Sequence, residues 1–236
     1  MITTIRNKQI NYRIVGEGQP FLLVHGWGGS IKSLEALAQL IAKTHQAIIL
    51  DLPGFGESDL PDENWGVEEY AQFLEEFVKS LGLKKIVYFG HSFGGSLGIY
   101  LSSQKDSLIE KLILCGSSYK RENKTSKLAK FLRFLPFDIK KIIYRIFFPR
   151  SDLLKYPKLE KNFRKIIRQD LTSCLADIKI PTLILWGEKD QETPLALANE
   201  LKNKISNSFL KLYPQSSHNL PLKNPELIIA EINKFI

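Results

Sequence analysis

Gly90-His91-Ser92-Phe93-Gly94 sets a serine two residues from a glycine on either side, the spacing that a strained strand-to-helix turn requires. On such a turn the serine hydroxyl is exposed and can act as a nucleophile. Residues 86–89 read as a short buried strand and 95–102 as a helix, so Ser92 falls at the bend between them. A side chain at 90 or 94 would collide across so tight a turn.

A serine hydroxyl has a very high pKa and needs a base within hydrogen-bond reach, for which histidine is suited near neutral pH. The chain has four histidines. His91 adjoins Ser92, and neighbours around a sharp turn point apart. His45, among Lys43, Thr44 and Gln46, reads as a surface residue. His218, in Ser216-Ser217-His218-Asn219 after the last strand, is the favoured base. His25, in His25-Gly26-Trp27-Gly28-Gly29 after the strand at 21–24, is the other candidate.

The base needs a carboxylate to fix its tautomer and stabilise the imidazolium. The loop Gly187-Glu188-Lys189-Asp190-Gln191-Glu192 offers three. Asp190 is preferred because it lies several residues past a strand and before Pro194, while Glu188 and Glu192 remain open on spacing alone. The transition state carries an oxyanion, and preorganised N–H donors are worth about 3 kcal/mol each there. Phe93 can supply one from its helix N-terminus. Trp27, in the glycine-rich loop, can supply the other while its indole lines an acyl pocket.

These residues need strand ends to hold them. Continuous apolar runs at 21–24, 47–50, 86–89, 112–115, 182–186 and 209–213 alternate with helical segments, which predicts an α/β fold with a mostly parallel sheet covered on both faces. The first fifteen residues alternate around Asn7-Lys8 as an edge hairpin would. Tyr70, Phe73, Leu74, Phe77, Val78 and Leu81 form a helical stripe that Gly82 ends. Between the strands at 112 and 182 about fifty residues intervene where one helix normally suffices. They predict an insertion over 119–170, with one amphipathic helix on Ile139, Ile142, Ile143, Ile146 and Phe147 and another on Leu159, Phe163, Ile166 and Ile167. A helical cap on a core of 1–118 and 171–236, set over the carboxyl edge of the sheet, is the expected arrangement.

Five segments in this order resemble the α/β-hydrolase family: Val24-His25-Gly26-Trp27-Gly28-Gly29, Asp51-Leu52-Pro53-Gly54-Phe55-Gly56-Glu57-Ser58, Gly90 to Gly95, Leu185-Trp186-Gly187-Glu188-Lys189-Asp190, and the late His218. The resemblance runs from about Gln19 onward except in the cap. It implies a Ser92-His218-Asp190 triad, raises Asp190 above Glu188 and Glu192, and implies backbone donors at Trp27 and Phe93. Serine at 92 argues against the dehalogenase and epoxide hydrolase branches, which place aspartate there. Two departures concern the base loop, where Ser217 replaces the usual glycine before the histidine and Lys223 stands where an acid is common. The His25-Gly26-Trp27-Gly28 and Asp51 to Gly56 pairing is similar to cytoplasmic carboxylesterases, including the pimeloyl-acyl-carrier methyl ester esterase branch. That likeness implies ester cleavage through an acyl-enzyme, with no cofactor and no metal. Lactone opening, amide cleavage at an N-terminal proline and carbon–carbon hydrolysis are alternatives on the same site. A ligand receptor with lost chemistry is the alternative of another class. Phe134 and Phe147 of the cap join His25, Trp27 and Phe93 as pocket candidates.

Composition sets bounds on this reading. The chain has 236 residues, 44% hydrophobic and 25% charged, which fits one core with an insertion. No apolar run is long enough to span a bilayer, and 1–9 lacks an apolar signal segment, so a cytoplasmic location is expected. Two cysteines, Cys115 and Cys174, are too few for a disulfide framework and lack metal spacing. The net charge of +8 is concentrated, since 119–170 holds sixteen Lys/Arg against five Asp/Glu. Such a segment suits an anionic substrate or an acidic acyl-carrier protein, and equally the plain solvation of helix faces. No nucleic-acid module is present, Pro136, Pro149 and Pro157 interrupt any membrane-binding face, and a monomer or weak homodimer is expected.

Overall fold

The computed structural model describes residues 1–120 and 155–236. Eight strands form one sheet: β1 (Ile2–Ile5), β2 (Lys8–Val15), β3 (Pro20–Val24), β4 (Gln46–Leu50), β5 (Ile86–His91), β6 (Ile109–Cys115), β7 (Thr182–Gly187) and β8 (Ser208–Tyr213). Their order is β1-β2-β4-β3-β5-β6-β7-β8. The first two make an edge hairpin whose turn residues, Arg6 and Asn7, both have positive φ, as a tight hairpin turn demands. β2 pairs antiparallel with β4, and every pairing from β4 to β8 is parallel.

Because helices cover both faces, β5 and β7 are buried at every residue. Leu22 and Val24 of β3 point into one core with Tyr70, Phe77, Tyr88 and Trp186, while Phe21 and Leu23 point into the other with Leu34, Ile41, Phe89 and Ile228. The period-2 alternation of a strand thus feeds two cores from one apolar run. The first is covered by α2 (Val67–Ser80), α3 (Phe93–Ser103) and, further along the chain, α5 (Leu195–Lys204); the second by α1 (Ile31–Ile41) and α7 (Pro225–Phe235). The expected α2 stripe is fully buried from Tyr70 to Val78, each large side chain contributing about 1.5–3 kcal/mol. Its start is fixed by Glu69, whose carboxylate accepts the Gly66 N–H at 2.7 Å, and Gly82 follows its end at φ +72°.

β5 runs two residues beyond the span that the apolar pattern predicts, because Gly90 and His91 pair with Leu114 and Cys115 of β6. The segment bearing the expected helix on 139–147, with Phe134 and Phe147, lies outside the described residues. Further on, a 3-10 turn (Pro157–Leu159) precedes α4 (Glu160–Ile166). This stretch rests on loops that follow β3 and β4. Tyr156 Oη donates to Gly28 O at 3.0 Å, and buried Asn162 donates from Nδ2 to Asp62 O and Trp65 O at 2.7 and 3.1 Å. Leu171 N–H donates to Tyr119 O at 2.9 Å, which brings these two distant points of the chain side by side. The short α6 (Leu220–Lys223) follows β8. Among the described residues no helix is long and apolar enough to cross a membrane.

Candidate active site

Ser92 sits between β5 and α3 at φ 51°, ψ −112°, a conformation that non-glycine residues rarely adopt. Four backbone bonds hold it there. Its N–H donates to Cys115 O at 3.0 Å, and its carbonyl accepts from Gly95, Ser96 and Ser118 N–H at 2.9, 3.3 and 3.2 Å. The turn also demands glycine. A Cβ on Gly90 would lie 2.4 Å from Gly94 O, across the turn as the spacing predicts. A Cβ on Gly94 would instead strike Val24 O at 2.3 Å, so that glycine lets α3 approach the end of β3.

His218 lies in the loop after β8, and its Nδ1 donates to Asp190 Oδ2 at 2.8 Å. Both residues are buried. Burial pushes the Asp190 carboxyl up, but hydrogen bonds from His218 and Thr193 outweigh it and hold the group below the usual carboxylate range. Thr193, which the sequence reading did not single out, donates from Oγ1 to Asp190 Oδ2 at 2.6 Å, and its N–H donates to Oδ1 at 2.8 Å. No pattern in the sequence marks it, since threonine after an acidic loop is common. Glu188 and Glu192 are exposed, and the structure brings neither to Nδ1. Glu192 Oε2 does lie 3.5 Å from His218 Nε2. Among the described residues Ser92 Oγ makes no hydrogen bond, and it lines the same cavity as His218. Such contacts often tighten only when substrate binds.

The other histidines have structural partners. His91 packs its ring on that of His218, centroids 4.9 Å apart, and its Nε2–H donates to His218 O at 2.9 Å. Burial, then the neighbouring His218, lowers its pKa to about 3. His25 is fully buried with both ring nitrogens engaged: Nδ1–H donates to Gly26 O at 2.7 Å, and Nε2 accepts from Leu52 N–H at 3.0 Å. Burial lowers its pKa to about 4. The structure therefore does not bring His25 to the cavity, either as a base or as a lining residue. It ties the loop after β3 to the loop after β4.

That first loop meets the nucleophile directly, for a Cβ on Gly26 would lie 3.0 Å from Ser92 Cβ. Gly29 N–H closes the loop on Gly26 O at 3.0 Å, while the N–H groups of Trp27 and Phe93 enter no hydrogen bond among the described residues. The Trp27 ring packs against Phe93 and Phe163 at 5.7 and 5.2 Å. These three, with Val67, Ile166 and Leu197, give an apolar lining to a cavity of about 350 Å³ that also reaches Ser92, His218, Lys120 and Glu192. Among the described residues no cluster of three His, Cys, Asp or Glu could hold a metal ion. Cys115 is buried beneath the site, and burial pushes its thiol up.

A family model described as the alpha/beta hydrolase fold matches residues 19–159, and the chain belongs to that family. It is a hydrolase of that superfamily. The AB hydrolase superfamily protein YisY of Bacillus subtilis is 28% identical over 94% of this chain and 92% of its own length. A proline iminopeptidase of Lactobacillus acidophilus is 25% identical over 97% of this chain and 94% of its own. A solved membrane phospholipase A, described as a bacterial virulence factor, shares the fold with a TM-score of 0.80 at 21% identity, covering 100% of this chain and 84% of its own.

Proposed function

We propose that this chain is a serine hydrolase that cleaves carboxylic esters through an acyl-enzyme. The observation that carries the reading is the buried His218–Asp190 pair, 2.8 Å apart, whose histidine lines the same cavity as a serine held at positive φ. Ser92 Oγ attacks the carbonyl carbon as His218 Nε2 takes its proton, and Asp190 stabilises the resulting imidazolium. The unengaged N–H groups of Trp27 and Phe93 receive the oxyanion, each worth about 3 kcal/mol of transition-state stabilisation. His218 then returns the proton to the leaving alcohol, and water repeats the sequence on the acyl-enzyme.

The apolar wall of Trp27, Phe93 and Phe163 supports an acyl group there. Residues 119–170 are the cap and 1–118 with 171–236 the core, a division supported by the bond between Tyr119 and Leu171. The acidic-carrier reading draws less support from the described cations of the cap. Lys120, Lys161 and Lys165 pair with the core acids Glu200, Glu63 and Glu69, and Arg164 with Glu160 of its own helix. Likeness to a proline iminopeptidase supports amide cleavage at an N-terminal proline as the second reading.

A panel of p-nitrophenyl butyrate, a γ-lactone and proline p-nitroanilide, run on wild type and Ser92→Ala, tests the assignment. Ester turnover that Ser92→Ala abolishes is the expected result. Preferential cleavage of the proline amide would replace the ester reading with the second one.

A further inference from the structure

Glu192 is the acid that the proposed chemistry leaves unused, yet its Oε2 lies 3.5 Å from His218 Nε2. Its side chain is 68% exposed and lines the cavity beside Ser92 and His218. Lys120, the other formally charged side chain on that cavity among the described residues, pairs with Glu200 at 2.6 Å, a carboxylate that Lys204 also approaches at 3.5 Å. Glu192 has no cationic partner among the described residues other than His218 itself. Among the described residues the base end of the cavity therefore carries the negative charge of Glu192, in a lining that mixes apolar and aromatic side chains with the neutral polar groups of Ser96, Ser118, Gln169, Gln191 and Thr193.

The position of that charge determines which half of a substrate it meets. In the proposed reaction Nε2 protonates the leaving oxygen, which must come within about 2.8 Å of it. The leaving oxygen and Glu192 Oε2 are then within about 6 Å of each other, the sum of the two reaches. A cationic nitrogen two carbons from that oxygen can lie against the carboxylate. An anionic leaving group would be repelled by it.

We propose that Glu192 is a specificity-determining residue that selects esters whose leaving alcohol carries a cationic nitrogen, the class of 2-aminoalcohol and quaternary-ammonium alcohol esters. The proposal rests on the reading of Ser92 as the nucleophile and names the substrate class of that same site. Attraction between a quaternary nitrogen and a carboxylate about 5 Å apart is worth about fourfold in rate at the dielectric of water and about three-hundredfold at an effective value near 20. A half-open cavity puts the preference at about tenfold.

The test compares butyrylcholine with 3,3-dimethylbutyl butyrate, which has the same shape without the charge. Wild type should show kcat/KM about tenfold higher for the choline ester, with added salt eroding the difference. Glu192→Gln should bring the ratio to within about twofold of unity, and Glu192→Lys should invert it. The ratio is the readout because any general disturbance of His218 affects both esters alike. A wild-type ratio at or below one, or a ratio that Glu192→Gln leaves intact, overturns the proposal. So does failure to cleave the choline ester by enzyme that hydrolyses p-nitrophenyl butyrate through Ser92. Wild-type activity in Ser92→Ala would instead overturn the reading on which the proposal stands.

Discussion

Acid should unfold this protein through two histidines that hold the site together without touching the substrate. His25 and His91 are buried and neutral, with pKa values lowered to about 4 by burial and to about 3 by burial and the neighbouring His218. In the unfolded chain each returns to about 6.5. Between these values the unfolded state binds protons that the native state refuses, so stability is complete above about pH 6.5 and falls as pH drops. Integrating that linkage from pH 7.5 to 5 gives a loss of about 2 kcal/mol for each histidine. The combined loss of about 4 kcal/mol is a large fraction of a domain's usual 5–15 kcal/mol. Asp190 adds to it only at lower pH, because hydrogen bonds from His218 and Thr193 hold its carboxyl below the usual carboxylate range. Urea unfolding followed by tryptophan fluorescence at pH 7.5 and 5 measures the loss directly. In His91→Gln an amide still donates to His218 O, and the variant should keep activity at pH 7.5 better than His91→Phe while losing about 2 kcal/mol less on acidification. Equal stability at the two pH values, or an unchanged slope in His91→Gln, would refute the argument that burial keeps these rings neutral.

Two further outcomes follow from the geometry. Thr193→Val removes the hydroxyl that donates to Asp190 at 2.6 Å; kcat should fall about tenfold, equivalent to about 1.4 kcal/mol, with KM little changed, as steady-state kinetics would show. Gly94→Ala drives a Cβ to 2.3 Å from Val24 O, an overpacking against backbone that should cost about 3 kcal/mol in thermal or urea unfolding.

The parts of this fold that could be read from the sequence are those where chemistry or sterics restrict the residue type. The turn around Ser92 admits only glycine at 90, the end of β3 admits only glycine at 94, and the strands at β3, β4 and β7 are continuous apolar runs because helices bury both faces. Other features depend on partners remote in the chain. Gly90 and His91 are poor strand formers, and only pairing with Leu114 and Cys115 extends β5 through them. His91 meets the His218 carbonyl across 127 positions of sequence, so its clamping contact has no local signature. His25 follows a strand beside glycines, which on sequence alone makes it a second base candidate. What removes it from that role is the Leu52 N–H, delivered by the next strand's loop. Thr193 is a common residue in an unremarkable position, and only the folded loop turns its hydroxyl onto Asp190. Lysines read as one basic field prove, at 161 and 165, to be docking contacts to Glu63 and Glu69.

The central claim is that Ser92 carries the acyl group during turnover. Acid quenching of the enzyme during p-nitrophenyl butyrate hydrolysis, followed by mass spectrometry of its peptides, tests it most directly. The account predicts a butyryl adduct on Ser92 alone, accompanied by a burst of p-nitrophenol and absent from Ser92→Ala. An adduct on another residue, or full turnover by Ser92→Ala, would contradict it.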